Sequence, residues 1–318
     1  MLLPTFAPHR LRRLFVPTRR GLAIALLLVA SPAALLAGPA TASTDASSDP
    51  SPNKDQYHLF HPTPVQLLRS FSTDRPSIST GPVTIDAGHF QLEADFVNYV
   101  QDRHNPSRAP VDVDQWNVLP FDLRIGLSNH VELDLVFGSY LNQRTRDRSV
   151  SGATATQTRS GIGDFTLQLK VNLLGNDRGS IGLALLPFLK VPTNTANLGN
   201  DSVEGGLGVP FSAALPYGFS LGLYTQFSAV RNGTDTGYDA AFGNAISLGH
   251  TLFTEKLSAF VEFYSFVTSA RNAPVSGQVE TGLVYNVLPN VEVDLGCYFG
   301  VTRAAPDFQI FTGFSFRY

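Results

Sequence analysis

The stretch Phe165-Thr166-Leu167-Gln168-Leu169-Lys170-Val171-Asn172-Leu173 alternates large apolar and polar side chains without a break. In an extended chain successive side chains point to opposite faces, so this segment has one apolar face and one polar face. Wound as a helix, it would spread both kinds around its circumference. The pattern recurs in Phe121-Asp122-Leu123-Arg124-Ile125-Gly126-Leu127 and in Val131, Leu133, Leu135 and Phe137 set against Glu132, Asp134 and Gly138. It recurs again in Phe219, Leu221, Leu223 and Phe227 set against Ser220, Gly222, Tyr224, Gln226 and Ser228.

Followed from Gly88 onward, this period predicts strands near 88–100, 113–127, 131–141, 162–174, 180–191, 207–215, 219–230, 238–252, 257–269, 278–287, 291–301 and 308–318. The connections alternate in length. Tight turns fall at 128–130, 175–179, 216–218, 253–256 and 288–290, and longer polar loops at 101–112, 142–161, 192–206, 231–237, 270–277 and 302–307. An even number of strands joined by short turns at one end and long loops at the other is the pattern of a bacterial outer-membrane barrel. A soluble β-sandwich also alternates, but with shorter strands; several segments here reach the ~9–11 residues that cross hydrocarbon at a tilt. In lipid every backbone N–H and C=O needs a partner, so the sheet must close, the last strand meeting the first. The expected fold is therefore all-β: a transmembrane antiparallel up-and-down barrel of about 12 strands, preceded by an irregular N-terminal segment. Leu127-Ser128-Asn129-His130-Val131-Glu132 and Leu288-Pro289-Asn290-Val291-Glu292 echo each other, as repeated hairpin re-entries do.

Residues 1–42 read as an export signal. Arg10, Arg12, Arg13, Arg19 and Arg20 form a basic start, Leu22 to Ala30 an apolar run shorter than a membrane span, and Ala40-Thr41-Ala42 a small-residue cleavage site. Cleavage near Ala42 would remove five arginines and no acid, taking the formal charge from −3 to −8. No basic stripe remains to follow a phosphate backbone, which argues against nucleic-acid binding. Residues 43–87, with Pro50, Pro52, Pro62, Pro64 and Pro76, are expected to form a periplasmic tether or a plug, and 88–318 the barrel. The single cysteine, Cys297, alternates with Leu295 and Phe299 and reads as a small apolar residue facing lipid.

The polar parity of the strands is expected to face the lumen. It carries Glu93, Asp95, Asp122, Glu132, Asp134, Glu262, Glu280, Glu292 and Asp294 against few cations, chiefly Arg124 and Lys170, together with Tyr224, Tyr264 and Phe266. An acidic lumen favours cations where a pore narrows; the alternative is that these carboxylates pair with loops or hydrate a plugged interior. The expectation is a narrow passive channel for small solutes, with no catalytic residue, cofactor or metal. A lipid-acting enzyme of phospholipase type is the rival class, but His89 and His250 fall at the periplasmic rim and His104 has no obvious partner in sequence. His58 and His61 are an isolated pair, and Gly205-Gly206-Leu207-Gly208 has no following helix to make a phosphate cradle. A structural or adhesive barrel is the third reading.

The final strand alternates to Phe314, Phe316 and Tyr318, and it is similar to the C-terminal signature that the barrel-assembly machinery reads in outer-membrane barrels; Tyr318 stands where Phe is usual. Thr73-Asp74-Arg75-Pro76, Gly88-His89-Phe90-Gln91-Leu92-Glu93, Gly161-Ile162-Gly163-Asp164-Phe165, Leu186-Pro187-Phe188-Leu189-Lys190-Val191-Pro192-Thr193 and Ala304-Ala305-Pro306-Asp307-Phe308 resemble the family labelled "putative MetA-pathway of phenol degradation". The resemblance implies an outer-membrane barrel of transporter or channel type, in some members linked to the catabolism of aromatic compounds. Implied partners are outer-membrane lipids, the assembly machinery and a small solute. The family offers no established catalytic residues.

Overall fold

The computed structural model describes residues 53–106, 108–152, 155–177, 179–234 and 236–318; the expected export signal and its cleavage site lie outside them. Among the described residues fifteen strands form one antiparallel sheet. The first, β1 (Phe90–Asp102), pairs with β2 (Val111–Val118) along its outer half and with β3 (Phe121–Gly126) along its inner half. Next come β4 (Val131–Phe137), β5 (Tyr140–Asp147), β6 (Thr156–Gly161) and β7 (Phe165–Leu174). The wall continues through β8 (Ile181–Val191), β9 (Glu204–Ala214), β10 (Phe219–Arg231), β11 (Tyr238–Thr251) and β12 (Leu257–Thr268). It ends with β13 (Ser276–Leu288), β14 (Val291–Gly300) and β15 (Phe308–Arg317). The pairs β2/β3, β4/β5 and β6/β7 each share one place in the wall, which gives a closed barrel of twelve positions.

Closure is made by β15 on β1, with Gln91 opposite Arg317 and Gln101 opposite Phe308. The Tyr318 and Phe90 main chains exchange hydrogen bonds of 2.8 and 3.0 Å at the rim. A bulge between Asp95 and Val97 shifts the parity of β1, so Asn98, Val100 and Asp102 turn inward beyond it. On the outside, Leu167, Leu189, Leu223, Phe227, Phe242, Ile246, Phe263, Leu295, Phe299 and Ile310 are exposed, an apolar surface that only lipid would cover.

The sequence places loops at 101–112, 142–161 and 192–206, and here the structure differs. β2, β5 and β6 prolong the wall beyond breaks at 119–120, 138–139 and 162–164, shortening the second of these connections to 148–155. Arg144, Thr145, Arg146, Gln157 and Thr158 put polar groups on both faces, so the apolar/polar alternation that marks a lipid-crossing strand is missing there. Gly205 and Gly206 likewise belong to β9 and not to a loop. At the breaks Leu119 adopts φ +54°, and Gly138 and Gly163 pack so closely that a Cβ on Gly138 would sit 3.2 Å from the Gly163 Cα. Above them β6 has, among the described residues, a strand partner only in β5; just past its end Ile162 donates to Thr195 Oγ1 of the 192–203 segment at 3.0 Å.

Candidate functional site

The interior divides into two arcs. One, on β1, β3, β4 and β7, is ionic. The Arg124 guanidinium, 1% exposed, donates to Glu132 Oε1 (2.8 and 3.1 Å) and to Glu93 Oε1 (2.8 Å). Lys170, in register with Glu132 across β4 and β7, lies 2.8 Å from that carboxylate. Asp134 completes this arc, fully buried, with neither oxygen accepting a hydrogen bond, as is also true of Asp122 Oδ1.

The other arc, on β8 and β10–β15, is aromatic. Tyr224, Tyr264, Tyr298 and Phe311 cluster with Leu186 and Ala245, and Phe266 packs against them. Each of three rings lies over an inward glycine of the preceding strand. A Cβ at Gly208 would come 2.9 Å from the Tyr224 ring, one at Gly243 2.8 Å from the Tyr264 hydroxyl, and one at Gly296 would clash with Phe311. The missing side chains let the rings pack down against the wall. Glu262 and Glu280, directly opposite each other across β12 and β13, and Asp294 and Glu292 on β14 border this arc.

Between the arcs runs the segment 72–87, and most wall carboxylates are turned to it. Asp74 reaches Lys170 Nζ at 2.6 Å. The main-chain N–H groups of Asp74 and Arg75 donate to Glu93, those of Ile78 and Ser79 to Glu262, and that of Ile85 to Glu132, over 2.5–3.3 Å. Ile78 N–H also donates to Glu280 at 3.2 Å, and Ile78 itself is buried in the aromatic cluster. The Arg75 guanidinium forms a two-bond fork with Asp294 (2.8 and 3.0 Å), pairs with Asp95, and lies 5.8 Å from the centre of the Phe311 ring. At the turn end, Lys54 and Arg69 hold Asp86 and Asp177: Lys54 Nζ is 2.7 Å from Asp177, and the Arg69 N–H is 2.8 Å from Asp86.

The residues read from sequence as lumen-facing thus all take the parity opposite the exposed apolar one, and the structure brings them together in these two arcs. Sequence reading missed Tyr298 and Phe311, although Tyr298 shares parity with Asp294 and Glu292. It also missed the cations Lys54, Arg69 and Arg75, for which a segment without period gives no signal. For His104 the structure supplies the partner the sequence does not show: its Nδ1 lies 3.1 Å from Asp307 Oδ1. His89 and His250 cap rim carbonyls of Thr63 and Tyr217. Asp74, Glu132 and Asp134 stand close enough to share an ion, but the Lys170 ammonium already occupies the space between the first two.

A family model described as "Putative MetA-pathway of phenol degradation" matches residues 73–318, which takes in the ionic arc, the aromatic arc and most of the segment between them. The chain belongs to this family. Among solved structures it is similar to the COG4313 outer membrane channel from Pseudomonas putida F1, with 12% identity, a TM-score of 0.56, and coverage of 78% of this chain and 100% of that one. It is also similar to the translocator domain of the autotransporter NalP from Neisseria meningitidis, with 8% identity, a TM-score of 0.44, and coverage of 72% and 88%. At 12% identity the likeness to the Pseudomonas channel speaks for the barrel fold alone. No curated protein matches the chain. As a member of the family it has the architecture of an outer-membrane barrel, and its interior has to be read from its own residues.

Proposed function

We propose that this family member is an outer-membrane channel that passes small apolar, chiefly aromatic, solutes by diffusion, with residues 53–87 as a plug that must shift before the lumen conducts. The observation that carries the reading is the arc of aromatic rings laid over Gly208, Gly243 and Gly296, with Ile78 of the plug in the same cluster. These rings pack Ile78 while the plug is seated, and planar solutes bind ring faces by offset or edge contact. The family description and the Pseudomonas protein, itself named an outer membrane channel, support the same reading. An acidic lumen selecting free cations is favoured less, because Glu93, Glu132 and Glu262 accept hydrogen bonds from the plug and act as its receptors while it is seated.

Uptake into proteoliposomes tests this. Phenol should enter faster than a sugar of similar size, and excising residues 53–87 should raise both rates. Equal rates for the two solutes would remove the aromatic reading, and unchanged rates after excision would remove the plug.

A further inference from the structure

We propose that the place held by Arg75 and Ile78 is the solute site, and that it favours organic cations: a guanidinium or ammonium group joined to a flat apolar body. The inference rests on the channel reading above and narrows its substrate class.

The wall balances its charges unevenly. On the ionic arc Glu93 and Glu132 have wall cations, Arg124 and Lys170. Asp95 and Asp294, buried on β1 and β14, form ion pairs among the described residues only with Arg75, which is not part of the wall. Beside them Glu262 and Glu280 face each other in register with no ion pair among the described residues. Glu280, 1% exposed, aims Oε2 at the Ile78 N–H and leaves Oε1 without a hydrogen bond. Four buried carboxylates therefore border an aromatic surface; two are met by the Arg75 guanidinium and two by main-chain N–H groups of Ile78 and Ser79, all carried by the plug.

The shape fits the charge. Gly313 leaves room where a Cβ would collide with the Arg75 guanidinium, Asp294 offers a planar two-bond fork, and the Phe311 ring offers a face to the cation. Three residues along the plug, Ile78 fills the apolar part against Tyr224, Tyr264, Tyr298 and Leu186. A neutral aromatic compound would cover the rings but leave the carboxylates uncompensated once Arg75 withdraws; an aromatic cation satisfies both. The plug thus acts as a tethered occupant that a solute of like chemistry replaces.

Benzylguanidinium and its neutral isostere benzylurea are suitable probes, measured by calorimetry on the mature chain in detergent. The Arg75→Ala variant should bind benzylguanidinium at least about tenfold more tightly than benzylurea, and at least about tenfold more tightly than the unaltered chain does. Adding Asp294→Asn should reduce the preference between probes to less than about threefold. Equal binding of the two probes by Arg75→Ala, or binding of neither, would overturn the inference. Because that variant could lose its fold, uptake by the unaltered chain in proteoliposomes is measured as well. Entry of phenol and benzylurea without benzylguanidinium refutes cation preference and leaves the channel standing. Entry of none of the three refutes the channel itself, and faster entry of benzylguanidinium than benzylurea supports both.

Discussion

Replacing Arg124 by Met separates a structural ion network from a decorative one. The guanidinium makes three bonds to wall carboxylates and a fourth, at 3.0 Å, to the Val83 carbonyl of the plug. Its loss affects its acid partners differently; Asp74, 3.7 Å away, keeps Lys170 at 2.6 Å. Glu132 keeps the Lys170 ammonium at 2.8 Å, while Glu93 has no other cation among the described ion pairs. Breaking a buried pair by removing one member costs about 3–5 kcal/mol, because a charge is left in low dielectric. The lower figure alone reduces the folding constant by about two orders of magnitude. Urea unfolding of the barrel in micelles, followed by far-ultraviolet circular dichroism, reads this loss. The double variant Arg124→Met with Glu93→Gln should recover about half of it, since the amide can still accept the Asp74 and Arg75 N–H groups without a charge. Pairing Arg124→Met with Glu132→Gln should recover less. A single variant that loses under about 1 kcal/mol, or a Glu93→Gln double no more stable than the single, would refute the assignment of Glu93 as the dependent partner.

Three further expectations follow from other parts of the molecule. Burial pushes the Asp177 carboxyl up, but the hydrogen bonds and charges of Arg69 and Lys54 outweigh burial and hold it below its ordinary 3.8. A lowered carboxyl stabilises above the unfolded value and loses that contribution as pH falls through the folded one. Protection of residues 54–71 from pepsin should therefore be constant from about pH 7 to 5 and fall below about pH 4, with Asp177→Asn abolishing the acid step. Gly296→Ala should cost about 1–3 kcal/mol in urea unfolding by driving Phe311 off the wall, whereas Gly233→Ala, whose Cβ meets nothing within 4 Å, should be neutral. Phe316→Ala should lower the heat-modifiable barrel band in outer-membrane fractions, and Tyr318→Phe should leave it unchanged, if the terminal aromatics serve as the assembly signal.

The wall was legible in sequence wherever lipid lies outside it. From Phe165 to Leu173 the bilayer demands apolar groups on one side, so the period is clean. From Tyr140 to Gly161 polar side chains lie on both faces, and a real hairpin reads as a loop. The lumen residues were legible by parity alone, but their partners were not: Arg75 and Asp294 are 219 residues apart, and the segment that carries Arg75 has no period to place it. Tyr298 and Phe311 could have been found by extending the parity of Asp294 and Ser315 inward along β14 and β15. The bulge after Asp95 could not, because nothing in Phe96-Val97 marks a change of face.

The acidity of the wall and the irregularity of the plug answer a single requirement. A strand in a closed sheet has already spent its N–H groups on its neighbours, so wall carboxylates cannot draw donors from their own backbone. Donors must come from side chains or from chain that belongs to no sheet. Residues 72–87 are such chain, and their prolines fall where no N–H is called for: Asp74, Arg75, Ile78, Ser79 and Ile85 donate, whereas Pro76 and Pro82 offer carbonyls to Tyr298 and Asn172. A plug with regular structure of its own would keep its N–H groups and leave the carboxylates orphaned. An apolar wall would leave the plug's N–H groups orphaned instead, at about 1–3 kcal/mol each. On the channel reading proposed above, the same pairing would let the plug leave: each bond given up would open a wall carboxylate to entering water or to a solute cation, so opening would exchange partners and strip none.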